Sequence, residues 1–220
     1  MRIITIPGVF APRSDTWLLA EVLTAQAGLE GAEVLDLGTG SGAIAVAAAR
    51  GGARSVTAVD VSRRALACAR LNARLNRARV EPRRGDLFAP VHDRRFDIVV
   101  SNPPYLPASD PQVGRRLPVR GAARAWEGGC DGRRLLERIC AQVADHLRPG
   151  GTVLLMQSSV NGLGRTLDAL EAVDLRADVV ARRRGPLGPL LSTRADALRA
   201  RGLIGPTDEE ELHVVRGRRR

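Results

Sequence analysis

Lysine is missing from these 220 residues, so all 34 basic side chains are arginine. With Ala and Gly abundant as well, part of this basicity reads as a high-GC coding preference and not as a functional signal. Aromatic residues make up only 3% of the chain. Cysteine is scarce and odd in number: Cys68, Cys130 and Cys140 form no CxxC spacing, which argues against a disulfide framework and against a zinc site. The three histidines, His92, His146 and His213, are scattered singly and read as structural or surface residues, so metal and Ser-His-Asp chemistry are disfavoured. No apolar run approaches the ~18 residues a membrane span needs. The opening stretch MRIITIPGVFAPRSDTW lacks a signal-peptide layout, so the expected compartment is the cytoplasm, with no membrane partner.

What is present is the composition of a soluble globular protein, 44% hydrophobic and 26% charged. The length favours one domain over residues 1–220. Val-, Ile- and Leu-rich runs at 33–37, 55–60, 96–101 and 151–157 predict buried strands. Helical patterns at 43–50, 62–76 and 131–147 alternate with them, with Ser62 as an N-cap and Arg148-Pro149-Gly150-Gly151 as a stop. Further on, a helix near 164–172 and strands near 177–183 and 212–216 are expected. This alternation predicts an α/β fold, a mainly parallel sheet with helices on both faces.

Charge is clustered. Residues 62–84 hold eight arginines against Glu81 alone, and residues 176–220 hold eleven against six acids. The clusters read either as a surface for an anionic partner, such as RNA or a ribosome-associated contact, or as a solvated helix face and a frayed tail.

Asp36-Leu37-Gly38-Thr39-Gly40-Ser41-Gly42 directly follows the first strand and opens a helix. Its alternate glycines permit a sharp turn and a close ligand approach. The G-x-G-x-G spacing differs from the G-x-G-x-x-G that seats a dinucleotide pyrophosphate. Asp36 beside that turn would repel phosphates and suit a cationic amino-acid ligand. Asp60, followed by Val61, ends the second strand where it can bind both hydroxyls of a ribose. Asp86-Leu87 follows a third strand and places a carboxylate near an adenine amino group. Together these elements point to S-adenosyl-L-methionine, with Asp36, Gly38, Thr39, Gly40, Gly42, Asp60, Val61, Asp86 and Leu87 as its candidate contacts and no metal.

The fourth strand ends in Ser101-Asn102-Pro103-Pro104-Tyr105. Two adjacent prolines cannot continue a strand ladder, so a plain loop is one reading. The other reading is chemical. The Asn102 side-chain oxygen and the Pro103 carbonyl can each accept an N–H from a planar NH2 group, and Tyr105 offers a face for stacking. Asn102, Pro103 and Tyr105 are the candidate catalytic residues, and Asn102 also stands beside the expected cofactor.

These residues resemble the NPPY N-methyltransferases, most closely the HemK/PrmC-type protein glutamine methyltransferases. NPPY also occurs in adenine- and cytosine-amino DNA methyltransferases. More discriminating are Ala11-Pro12-Arg13-Ser14-Asp15-Thr16-Trp17-Leu18-Leu19, similar to the family's amino-terminal segment over the cofactor, and Arg124-Ala125-Trp126-Glu127-Gly128-Gly129-Cys130-Asp131-Gly132, similar to its Gly-Gly-x-Asp-Gly loop. The resemblance adds Asp15 and Thr16 as cofactor contacts and implies a Rossmann-like class I methyltransferase with a seven-stranded, doubly wound sheet and an antiparallel last strand. It also implies a release factor's Gly-Gly-Gln glutamine as substrate. The chain resembles the short form without an additional helical domain, which works elsewhere with a small zinc-binding activator subunit. The stretch Arg182–Pro189 and the helix-like residues through Gly202 lengthen the connection to the last strand. Two rivals remain: a nucleic-acid amino-methyltransferase, and a non-catalytic cofactor-binding interaction protein. The intact set Asp36, Asp60, Asp86 and Asn102 argues against the latter.

Overall fold

The computed structural model describes residues 1–112 and 122–220. Five parallel strands form most of the sheet: β1 (Glu33–Leu37), β2 (Ser55–Asp60), β3 (Glu81–Arg84), β4 (Phe96–Ser101) and β5 (Leu147–Ser158). β6 (Leu175–Pro186) and β7 (Glu209–Arg219) complete it, with β7 antiparallel between β5 and β6. The order β3-β2-β1-β4-β5-β7-β6 makes this a seven-stranded, mainly parallel sheet. From β1 the chain winds outward to β2 and β3, then returns to β4 on the other side of β1. That reversal opens a crevice at the carboxyl ends of β1 and β4, where open α/β sheets bind ligands.

Alternating side chains send each strand's apolar residues into two cores. Val34, Ile98, Val100, Leu154 and Met156 face α1 (Ser14–Thr24) and α2 (Ala43–Arg50), which contribute Leu19, Leu23, Ile44 and Ala48. Leu35, Leu37, Val99, Val153 and Leu155 face the other way. They pack onto Leu136, Ile139 and Cys140 of the helix Arg134–Gln142 and Leu170 of the helix Leu163–Glu171. Between these groups in sequence lies α3 (Arg63–Leu75), which packs beside α2, its start capped by the Ser62 hydroxyl accepting from Ala65 N. The helices Arg134–Gln142 and Leu163–Glu171 are accordingly α4 and α5.

Three expectations change. The helix over 131–147 is α4 followed by a 3-10 turn at Val143–His146. Arg148–Gly151 does not end a helix but bulges out of β5, since Leu147 pairs with Phe96 while Thr152 already pairs with Ile98. Arg182–Pro186 is not connection; it belongs to β6, in register with Glu209–His213 of β7. An edge strand tolerates charge on both faces, and Arg182 and Arg184 have cross-strand acids in Glu211 and Glu209. The true insertion is shorter: α6 (Pro189–Ser192) and α7 (Ala195–Ala200), packed on a small third core of Val160, Leu187, Leu191 and Leu198. Among the described residues no helix is long and apolar enough to cross a membrane.

Candidate active site

A cleft of about 890 Å³ opens at the carboxyl ends of β1, β2 and β4, large enough for a nucleoside-sized ligand with an acceptor side chain beside it. One wall is backbone. Gly38 and Gly40 adopt φ of +71° and +54°, a region favoured by glycine. Gly38 N and Thr39 N both donate to Val59 O, at 2.8 and 3.1 Å, tying the turn to the end of β2. Asp60 is fixed in turn: Oδ2 accepts from Gly40 N at 3.0 Å and Oδ1 from Ser62 N at 2.8 Å. Gly38, Thr39, Gly40, Asp60, Val61 and Leu87 all line the cleft. Asp86 also lines it, but its carboxylate is held in a two-point ion pair with Arg138, at 2.7 and 3.2 Å.

Asp36 and Gly42 lie apart from the other expected contacts. Neither lines the cleft. Asp36 is fully buried beneath the turn, where Oδ2 accepts from Thr39 Oγ1 at 2.6 Å and Ala45 N at 3.1 Å. Burial, with a smaller repulsion from Asp60, pushes its carboxyl up to about 7. Its Oδ1 has no hydrogen-bond partner among the described residues. Gly42 serves helix packing: a Cβ there would stand 2.8 Å from the Cα of Ala69 in α3.

The opposite wall carries the acceptor motif, and only Asn102 and Pro104 of it reach the cleft. Pro103 and Tyr105 sit behind. Asp15, expected as a cofactor contact, is buried on α1 and does not line the cleft; it accepts from Asn102 Nδ2 at 3.1 Å and from the Tyr105 hydroxyl at 2.9 Å, both through Oδ2. Thr16 Oγ1, at the cleft wall, accepts from the same Asn102 Nδ2 at 3.3 Å. The amide nitrogen of Asn102 is thereby committed, leaving Oδ1 as its acceptor atom. Desolvation and the Asp15 charge hold the Tyr105 hydroxyl well above its ordinary pKa, so it stays protonated and donates to Asp15.

The Gly-Gly-x-Asp-Gly loop braces this wall from behind. Leu106 N donates to Trp126 O, Gly128 N donates to Leu106 O, and Asn161 Nδ2 donates to Tyr105 O at 2.7 Å. At Gly132, with φ +76°, a Cβ would lie 2.1 Å from Tyr105 O, which explains the glycine. The insertion helices press on the same loops: Arg194 donates to Pro107 O and pairs with Glu127, and Arg201 donates to Ala108 O and Cys130 O.

Several lining residues escaped sequence reasoning. Gly8, Val9, Phe10 and Arg134 line the cleft, and Pro12 and Glu127, named above only as parts of the two family-like segments, line it as well. The N-terminal segment reaches the cleft because α3 and the residue after it hold it. Asn72 accepts from Ile4 N and donates to Ile4 O, and Asn76 does the same with Arg2. Two buried asparagines spaced four apart were the available signal, since such amides need partners. Phe10 then packs against Trp126 with ring centroids 6.0 Å apart, joining that segment to the loop after NPPY.

The sheet order and the cleft define a class I methyltransferase. The family model for the methyltransferase small domain matches residues 1–130. The chain belongs to that family and is an S-adenosylmethionine-dependent methyltransferase; the resemblance to the HemK/PrmC type holds. It is 33% identical over 190 residues to a putative protein N5-glutamine methyltransferase of Methanocaldococcus jannaschii, covering 86% of this chain and 92% of that one. It is 39% and 41% identical to release factor glutamine methyltransferases of Geobacter sulfurreducens and Gloeobacter violaceus, over 69% and 77% of this chain. Of those two bacterial relatives it spans only 54% and 60% of the length. Among solved structures, the E. cuniculi Mtq2–Trm112 complex, responsible for methylation of the eRF1 termination factor, superposes with a TM-score of 0.64 at 24% identity, covering 97% of this chain and 99% of that one. At that identity the likeness is one of fold.

Proposed function

We propose that this protein methylates the side-chain amide nitrogen of a protein glutamine, with a peptide-chain release factor as the leading substrate. One observation carries the chemistry. Asp15 and Thr16 hold the Asn102 nitrogen, so its carbonyl oxygen is the group offered to an incoming NH2 at the cleft wall. An amide nitrogen is a poor nucleophile because its lone pair is delocalised, and Tyr105, kept protonated, is no base. Asn102 Oδ1 is therefore read as the acceptor whose hydrogen bond strengthens as that nitrogen gains positive charge; Pro103, expected to add its carbonyl, does not line the cleft. Asp60, fixed by Gly40 and Ser62, is read as the ribose partner, and Gly38–Gly40 as the turn that lets the ligand approach. S-adenosylmethionine supplies, when bound, an electrophilic methyl group. Positioning the two reactants can contribute on the order of 7–11 kcal/mol. The names of the relatives support the glutamine reading.

The test is direct. Purified protein is incubated with labelled cofactor and a release factor, with and without a small zinc-binding subunit of the kind expected for the short form, and the methyl is mapped by mass spectrometry. Label on the glutamine side chain is expected. Label on adenine or cytosine amino groups, with none on glutamine, would overturn this reading for the nucleic-acid one, which the arginines of α3 favour.

A further inference from the structure

The two arginine clusters differ in a way composition does not reveal. Around β6 and β7 five of the eight guanidinium groups are paired within the chain: Arg183 with Glu21 at 3.2 Å, Arg216 with Asp178 at 2.7 Å, and Arg182, Arg184 and Arg220 with Glu211, Glu209 and Asp174, while Arg176, Arg218 and Arg219 have no such pair among the described residues. On α3 and just past its end, Arg63, Arg64, Arg70, Arg74, Arg77 and Arg79 are all exposed. None of these six has a carboxylate within ion-pair distance among the described residues, as none figures in any ion pair from Arg54 to Arg220. Five of eight paired there, and Arg83 paired with Glu81 further along the first cluster, contrast with none of six here, a segregation that an even coding preference does not produce.

Their arrangement is directional. Arg63, Arg70 and Arg74 stand at i, i+7 and i+11, one stripe along the helix, which Arg77 and Arg79 extend. At 1.5 Å per residue the helical part spans about 17 Å. Arg63 and Arg64 also line the cleft, so the stripe begins at its rim. Beside it, Leu71 and Leu75 are 40% and 47% exposed. Protein partners dock on patches whose centres are depleted of charge. Six cations with two flanking leucines instead form the footprint of a phosphate backbone.

We propose that α3 and the residues through Arg79 form an RNA-binding surface that grips phosphates and leads to the mouth of the cleft. The choice of RNA over DNA rests on the reading of the substrate as a translation factor, which works against ribosomal RNA.

Binding of the full chain to a ribosomal RNA stem-loop, to duplex DNA of equal length and to polyglutamate is followed against salt. Each RNA phosphate neutralised by a guanidinium contributes ~0.7–0.9 to the slope of log K against log[salt]. Replacing Arg70, Arg74, Arg77 and Arg79 by Gln should lower that slope by about 3, with cofactor affinity and melting temperature unchanged. The triple change Arg182→Gln, Arg183→Gln, Arg184→Gln should leave the slope alone. An unchanged slope in the α3 variant overturns the surface. Equal or tighter binding of DNA overturns the choice of RNA, and equal or tighter binding of polyglutamate replaces it with an acidic protein. Wild-type protein that binds RNA yet labels no glutamine supports the surface and sinks the substrate reading, so the two fail separately.

Discussion

The two walls of the cleft are built by different means. The wall proposed for the cofactor is local: residues 38–41 form a turn, and Asp60 is locked by two nearby backbone N–H groups. The acceptor wall is assembled from afar. Asp15 reaches Tyr105 across 90 positions of sequence, Asn161 reaches it across 56, and Arg194 reaches Pro107 across 87. A wall made of backbone should respond to substitution through ligand affinity, one residue at a time. A wall made of interlocked side chains should respond through turnover, and its members should not act independently.

The largest effect expected is on the assembled wall. Asn102→Ala should cut turnover by ~10²–10³-fold, the scale for removing one preorganised hydrogen-bonding group, with cofactor affinity measured by calorimetry nearly intact. Asp15→Ala leaves the Asn102 amide held by Thr16 alone and the Tyr105 hydroxyl without its Asp15 acceptor, a loss of ~1–3 kcal/mol, or roughly 5- to 150-fold in turnover. Since Asp15 acts through Asn102, the double variant should be no slower than Asn102→Ala alone. Additive losses would separate the two residues and undo the description of one wall.

The next effect sharpens the local wall and concerns stability. Asp36 is held at about 7 against an ordinary 3.8. The folded state thus keeps the proton that the unfolded chain has released, and the burial cost is absent below pH ~4, grows as pH rises to about 7 and is constant above. Asp36→Asn removes this titration. Unfolding by denaturant should show the variant gaining on the wild type by roughly 2–3 kcal/mol between pH 5 and pH 8. Parallel pH profiles would show Asp36 to be solvated or otherwise compensated.

The same contrast decides how much was legible in the sequence. β1, α2, β2 and β4 fall on the expected residues because their periodicity and glycine punctuation are local signals. The turn Gly38–Gly40 and the strand-end Asp60 were legible for the same reason. What was missed depends on long-range pairing. Asp15 gave no sign that it would lie under Asn102 and Tyr105, since nothing between residues 15 and 102 encodes that meeting. The strand expected to end near 183 runs on to Pro186, an extension that was hidden because its cross-strand partners, Glu209–Glu211, lie in another strand. The bulge at Arg148–Gly151 looked like a helix stop because Pro and Gly punctuate both. Gly42, grouped with the ligand glycines by spacing, packs on α3 because its Cα faces Ala69 and not the cleft.

The smallest effect tests the separation of the walls most cleanly. Gly40 sits at φ +54°, and a Cβ placed there meets nothing nearer than Gly38 O at 3.9 Å. Gly40→Ala therefore carries a left-handed backbone penalty of roughly 1–2 kcal/mol with no clash inside the protein. The melting temperature should fall by only a few degrees, ~2–4 °C per kcal/mol in a chain of this size. The new methyl stands in the cleft wall beside Asp60, the wall proposed for the cofactor, so cofactor affinity should weaken. At saturating cofactor, turnover should return to the wild-type value, because Asn102, Asp15 and Tyr105 lie on the other wall and are untouched. Calorimetry for affinity and initial rates at rising cofactor concentration read the two quantities separately. A turnover that stays depressed at saturation would mean that the glycine turn helps to place the acceptor, and the division into a binding wall and a reacting wall would fail.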